Sequence, residues 1–228
     1  MPVKKPKLVY TYKACRLSDD EKHRFALMRS WEHALYTWND GASVWDRSTY
    51  DFARWRVLIY LMLNPSTADD IKNDPTAESC VRIANYHGYS HILVGNLWSY
   101  RSKDWKVIRD EARIRQAECG RPDPAMGNEP NSDRWIKRML AMPGHVLGCS
   151  YVRADVCLAW GSHVLDIPGA GRRIQDLLHL YRSSPLAKQP LLCLGTTSSG
   201  NPNHPLFQAE TTPLIPWDRE QEAIRNAA

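Results

Sequence analysis

Phenylalanine is scarce, with 3 residues in 228 beside 9 tryptophans and 10 tyrosines. The aromatic rings are therefore mostly amphipathic ones that carry an N–H or O–H to place. Long apolar runs are also missing. The longest, Val57–Leu63, is of strand length and far short of the ~18 residues of a membrane span. No apolar stretch follows the basic start Met1-Pro2-Val3-Lys4-Lys5-Pro6-Lys7, so a signal peptide is not expected. The cysteines Cys15, Cys80, Cys119, Cys149, Cys157 and Cys193 form no C-x-x-C pair. That pattern excludes a disulfide framework and a zinc ribbon, and it fits a reducing cytoplasm. The P-loop, the Rossmann glycine pattern, H-E-x-x-H, G-x-S-x-G and the zinc-deaminase pattern are all absent. Gly169-Ala170-Gly171 opens a helix without the full nucleotide fingerprint. No cofactor and no metal are expected.

What is present is ordinary in bulk. Hydrophobic residues make up 43% and charged residues 24%, and the net charge is +5. Such a chain buries a core of its own and is neither disordered nor fibrous. Its length favours one α/β domain over residues 25–217, with an N-terminal arm or edge element over 1–24 and a charged tail over 218–228. A monomer is expected. A basic balance with many Trp and Tyr suits an anionic partner with flat faces, such as a nucleic acid. The alternative is that the Trp rings fill the core.

Four apolar runs read as strands buried on both faces: Arg56–Leu63, His91–Leu97, Asp155–Gly161 and Pro190–Gly195. Phe25–Trp31 reads as a further strand. Helices are predicted from an Asp74 N-cap with Pro75 at N1 to Gly88, over Lys106–Glu118, over Asp133–Met142 with Asn131 or Ser132 as cap, and over Gly169–Leu180. Cys119–Ser132 reads as a long loop, Asp40-Gly41 as a turn and 218–228 as a loose helix. This alternation argues a three-layer α/β/α sandwich around a central, mostly parallel four-stranded sheet. Ligands bind such sheets beyond the carboxyl ends of the strands. All four strands end there in small or polar residues: Asn64-Pro65-Ser66, Gly95-Asn96, Trp160-Gly161 and Gly195-Thr196.

Those ends supply the candidate chemistry. An Asn64 amide can hold a water by donor and acceptor. The N–H groups of Ser66, Thr67 and Ala68 can form an anion nest. Asp69, Asp70 and Asp74 lie close enough to polarise a water; the alternative for Asp74 is a helix cap alone. Asn96 can read the hydrogen-bonding edge of a base. Trp98, Tyr100 and Arg101 suggest a stacking surface with a phosphate contact. The alternative is one ring in the core and an arginine in solvent. His204, fixed by Pro205 after a Gly/Ser/Asn loop, can donate to a leaving group as its charge grows.

Leu63-Asn64-Pro65-Ser66-Thr67-Ala68-Asp69, Asp74-Pro75-Thr76, Asn96-Leu97-Trp98, Ala159-Trp160-Gly161 and Gly195-Thr196 through Gly200-Asn201-Pro202-Asn203-His204-Pro205-Leu206 occur in that order. Together they resemble the family called domain of unknown function 1643, over roughly Phe25–Trp217. The same order is similar to the uracil-DNA glycosylase superfamily. In that superfamily an Asp-Pro or Asn-Pro turn positions the attacking water, and an Asn at a later strand end reads the flipped base. A Trp-Gly ends the next strand. A His-Pro-Ser loop then supports the departing base and wedges into DNA. Asn64-Pro65, Asn96, Trp160-Gly161 and His204-Pro205-Leu206 match these places, although Leu206 stands where the superfamily has Ser.

The resemblance implies a uracil-DNA-glycosylase-like fold and hydrolysis of the N-glycosidic bond of a flipped, modified or damaged base, with a pyrimidine favoured. The partner is double-stranded DNA and the product an abasic site. Asn64, Asp69, Asp74 and His204 are then the catalytic candidates. Pro65, Ser66, Thr67, Asn96, Trp98, Arg101 and Thr196 would bind the base and its nucleotide. Arg172, Arg173, Asn203, Pro205 and Leu206 would hold the duplex. Bulky modified bases of viral DNA are one expected target, which would make the activity antiviral. The alternatives are a non-catalytic module sensing modified bases and a hydrolase or transferase of free nucleotides.

Overall fold

Apolar runs become the middle of a sheet in the computed structural model, which describes residues 10–31, 56–120, 130–145 and 153–218. The strands are β1 (Tyr12–Leu17), β2 (Arg24–Ser30), β3 (Arg56–Met62), β4 (His91–Asn96), β5 (Arg153–Leu158), β6 (Leu192–Cys193) and β7 (Ile215–Pro216). Their order across the sheet is β1-β2-β4-β3-β5-β6-β7. The central neighbours β4, β3, β5 and β6 run parallel. The flanking pairs β1·β2, β2·β4 and β6·β7 are antiparallel. The expected four strands are therefore the parallel centre of a seven-stranded sheet. The extra edge strands come from mixed or very short segments such as Tyr12-Lys13-Ala14-Cys15-Arg16-Leu17, whose apolar periodicity is weak.

Alternation along β3 divides the core. Val57, Ile59 and Leu61 face Ile136 and Met139 of α3 (Pro130–His145) and Ile174, Leu177 and Leu178 of α4 (Ala170–Arg182), in the same cluster as Ile108 of α2 (Lys106–Cys119). Leu58, Tyr60 and Met62 join Ala77, Cys80, Val81 and Ala84 of α1 (Pro75–Tyr86) on the other face. Helices thus cover both faces, and the layers run helix, sheet, helix. Each fully buried aliphatic side chain contributes about 1.5–3 kcal/mol of transfer free energy, so β3 and β4 anchor the structure.

The start of α1 follows its sequence chemistry. Asp74 is the N-cap, its side chain accepts from the Ala77 N–H at 2.8 Å, and Pro75 takes the first helical position. The helix ends at a His87 cap before Gly88 at φ 74°. By contrast, α3 begins at Pro130. Asn131 and Ser132 lie inside its first turn, so neither is the residue that precedes the helix, and Pro130 pre-sets the helical φ ahead of them. The helix continues past Met142 to His145. Residues 121–129 of the expected loop, the Asp40-Gly41 turn and residues 219–228 of the expected C-terminal helix lie outside the described residues.

Arg173 corrects one DNA-binding expectation. Its side chain is only 1% exposed, donates from Nε to the Leu97 carbonyl at 2.6 Å, and pairs through Nη2 with Asp133 at 2.7 Å. It ties α4 to the chain after β4 and to α3, so it is a structural cation. Arg172, one residue earlier on the turn, is exposed. Among the described residues, no helix is long and apolar enough to cross a membrane.

Candidate functional site

Because β3, β4, β5 and β6 are parallel, their carboxyl ends share one edge of the sheet. Antiparallel β2 brings its first residue, Arg24, to that same edge, where the Arg24 N–H donates to the Ser99 carbonyl at 2.8 Å. A cavity of about 450 Å³ opens there on the α1 side. Of the expected site residues, Asn64, Ser66, Asp74 and Asn96 line it, together with Asn203, His204 and Leu206 from the loop after β6. Leu27, Met62 and Val94 supply apolar walls.

Asn96 is the most telling of these. It ends β4, is 2% exposed, and neither its Oδ1 nor its Nδ2 has a partner among the described residues. A buried amide left bare on both atoms is costly, because its lost hydration is not replaced. A ligand that presents both an acceptor and a donor would replace it, and the edge of a base does so.

Asn64 is placed differently. Its Nδ2 donates to the Ser102 carbonyl at 2.9 Å and to the Pro65 carbonyl at 3.2 Å. The Ser102 N–H in turn donates to the Pro65 carbonyl at 2.9 Å. Both amide hydrogens are thus engaged, which leaves Oδ1 as the group Asn64 can offer a ligand or water.

One of the three N–H groups of the expected anion nest is taken up from within. The Ala68 N–H donates to Asp74 Oδ2 at 3.2 Å while Asp74 Oδ1 caps α1. Asp74 is buried in the cavity wall as both a cap and a lining group. Thr67 is exposed and does not line the cavity. Asp69 does not line it either. Its Oδ1 accepts from the Ile71 and Lys72 N–H groups at 2.8 and 2.7 Å, and these bonds hold its carboxyl below the usual carboxylate range. It closes its own turn and is not placed to act on a ligand in the cavity.

His204 reaches the cavity from the other flank. It precedes the short 3-10 turn Pro205–Phe207, and Pro205 is buried beneath it. Its Nδ1 faces the Leu206 N–H at 3.3 Å. Burial pushes its pKa down to about 4, reinforced by nearby His163 and opposed by Asp74. The ring is thus neutral at pH 7 with its hydrogen on Nε2. Gly161 explains the Trp-Gly strand end. It sits at φ 76°, and a Cβ there would lie 3.3 Å from His204 Cβ. Only glycine allows both the left-handed turn and that approach. Trp160 donates through Nε1 to Asn201 Oδ1 at 3.0 Å, bracing the loop that carries His204.

Three expectations about side chains are overturned. Trp98 is 0% exposed within the core, so it is no stacking platform. Arg101 stands outside the cavity, with its guanidinium on the Glu21 and Thr67 carbonyls at 3.1 and 3.4 Å. Thr196 is bridged to Pro202, and Thr197 lines the cavity in its place. Pro65 is buried behind Asn64. Sequence reading missed Arg24, Trp105, His163 and Phe207, which also line the cavity. Trp105 and His163 stack at 4.4 Å and 14°, and Phe207 is 85% exposed beside Leu206. A signal for Phe207 existed, since an aromatic next to His204-Pro205-Leu206 is conspicuous in a chain with so few phenylalanines.

No group of three or more His, Cys, Asp or Glu side chains is placed to hold a metal ion among the described residues. No curated protein and no solved structure matches the chain. A family model described as a protein of unknown function (DUF1643) matches residues 24–206. That span covers most of the sheet and all the cavity-lining residues except Phe207 and Gln208, and the chain belongs to the DUF1643 family.

Proposed function

We propose that the protein is a DNA glycosylase that hydrolyses the N-glycosidic bond of a flipped base, a modified pyrimidine being favoured. The observation that carries this reading is Asn96: a buried amide, bare on both polar atoms, at the wall of a cavity. A base edge satisfies it. The cavity volume lies within the ~300–1,000 Å³ of small-molecule sites and leaves room for a substituted base. Modified bases of viral DNA are then one fitting target class, in a cytoplasmic antiviral role.

The chemistry follows from the two flanking groups. A water donates a hydrogen bond to Asn64 Oδ1 and presents a lone pair to C1′ of the sugar. As the oxygen–carbon bond forms, the carbon–nitrogen bond breaks and its electron pair goes to the base nitrogen. The sugar passes through an oxocarbenium-like state. The neutral His204 donates Nε2–H to the growing negative charge on the base, and it can do so without first losing or gaining a proton. The proton released by the water passes through solvent to the departing base. Asp74 lines the cavity and adds negative potential that favours the sugar cation. Leu206 and exposed Phe207 fill the gap left by the flipped base, and Arg172 is available for a phosphate.

The engagement of both Asp74 oxygens by backbone N–H groups favours one second reading, a sensor that binds a modified base without cleaving it. Purified protein incubated with genomic DNAs of different natural base content separates the two. Free base in the filtrate, with a matching count of aldehyde-reactive abasic sites in the DNA, supports the glycosylase. Retention of one DNA without base release supports the sensor.

A further inference from the structure

We propose that Arg24 determines specificity: on the cavity flank away from His204, it donates to an uncharged oxygen, a hydroxyl or a carbonyl, carried by the bound base. This rests on the glycosylase reading for the identity of the ligand as a base.

The strand order places the two groups. From β2, which carries Arg24, to β5, whose end approaches His204 through Gly161, there are three strand spacings. At ~4.8 Å each, the two backbones stand roughly 14 Å apart, with Asn96 one strand in from Arg24. A ligand held at its glycosidic end by His204 and along its edge by Asn96 therefore extends toward Arg24.

Arg24 is also a buried cation with no carboxylate within salt-bridge distance among the described residues. Its side chain is 4% exposed, Nη1 donates to the Ala68 carbonyl at 2.8 Å, and Nε has no partner among the described residues. Burial lowers its pKa to about 10, opposed first by Asp74, so the guanidinium stays charged at neutral pH. A buried guanidinium with bare donors calls for an acceptor, since Arg offers donors only.

Asp74 sets the charge of that acceptor. The Ala68 backbone stands between the two side chains: its carbonyl accepts from Arg24 and its N–H donates to Asp74. Both side chains line the cavity. An oxygen placed on Arg24 therefore lies beside a carboxyl group. An anionic substituent would be repelled there, whereas a neutral oxygen would not. The walls between are Leu27, Val94 and Met62, which offer no competing donors.

The test uses binding, so that it stands apart from turnover. Duplexes carry one 2′-fluoro-arabino cytosine, which resists cleavage, with a 5-methyl, 5-hydroxymethyl or 5-carboxyl substituent. The full-length wild type should bind the hydroxymethyl duplex at least about tenfold more tightly than the methyl one. The carboxyl duplex should gain no such preference. The hydroxymethyl-to-methyl ratio should fall to about one in Arg24→Met and partly recover in Arg24→Lys. Equal affinity for the three duplexes in the wild type overturns the assignment without needing any variant, as does a ratio unchanged in both variants. Base release from cleavable duplexes by a wild type that ignores the substituent overturns Arg24 alone. Absence of both release and modified-base preference overturns the glycosylase reading with it.

Discussion

The Nδ1 of His204 accepts a hydrogen bond from the Leu206 backbone N–H at 3.3 Å. That contact sets the tautomer of the ring and, with burial, keeps it neutral. A histidine whose folded pKa is about 4, below the ~6.5 of a free one, lets the unfolded chain take up protons first as pH falls. His91, buried in β4, is likewise lowered to about 4 by desolvation.

Stability should therefore be complete above about pH 6.5 and decline from there toward pH 4. At pH 5 the loss should be on the order of 2 kcal/mol from His91 and somewhat less from the partly exposed His204. Urea unfolding at pH 7 and pH 5 measures it, and His91→Gln should remove part of the difference. Base release by wild type should stay flat from pH 8 to pH 5. A rate inflection near 6.5 would show that His204 titrates as a free imidazole.

Asn96→Leu should separate stability from function. The bare amide leaves no protein partner unsatisfied when it is replaced, so the melting transition should move by no more than about 1 kcal/mol. Selective binding of a modified base should be lost. A large drop in stability with selectivity retained would mean that the amide serves the fold.

Asn64→Asp should be no more active than Asn64→Ala. An aspartate there would set lone pairs against the Pro65 and Ser102 carbonyls, which now accept from Nδ2. Each variant should cut base release by about 100-fold or more, as the loss of a group that orients a reactant does. Single-turnover rates compare them, and an active Asn64→Asp would refute the assignment of Oδ1.

The two nearby aspartates should behave oppositely. Asp74→Ala removes a helix cap and leaves the Ala68 N–H bare, a loss of about 2 kcal/mol. Asp69→Ala touches an exposed turn and should leave base release within about twofold. Melting curves and release rates on both variants decide this.

Trp98 and Phe207 form a similar contrast. Trp98→Ala empties the core and should cost about 3–5 kcal/mol. Phe207→Ala should leave the melting transition in place and weaken duplex binding, which fluorescence anisotropy reads directly.

The central strands were legible because strands buried on both faces leave contiguous apolar runs. The α1 cap was legible because Asp74-Pro75 is a local signal. The outer strands were not, since β1 mixes Lys13 and Arg16 among its apolar residues and β7 is two residues long. Asn96 and His204 could be found because they end local motifs. Arg24 could not, for only the antiparallel pairing of β2 with β4 carries it to the strand ends. Trp98 and Arg173 misled for a related reason: Trp and Arg suit a nucleic-acid surface and a buried network equally well, and burial is decided by partners far along the chain. Arg173 meets Asp133, 40 residues away.

The most direct test of the account takes one duplex with a single modified pyrimidine, protein in excess, and hot alkali after the incubation. Wild type should break the strand at that one position, while Asn64→Ala and His204→Ala bind the duplex and leave it whole. An intact strand held tightly by wild type would contradict the glycosylase assignment and make the cavity a sensor of the base.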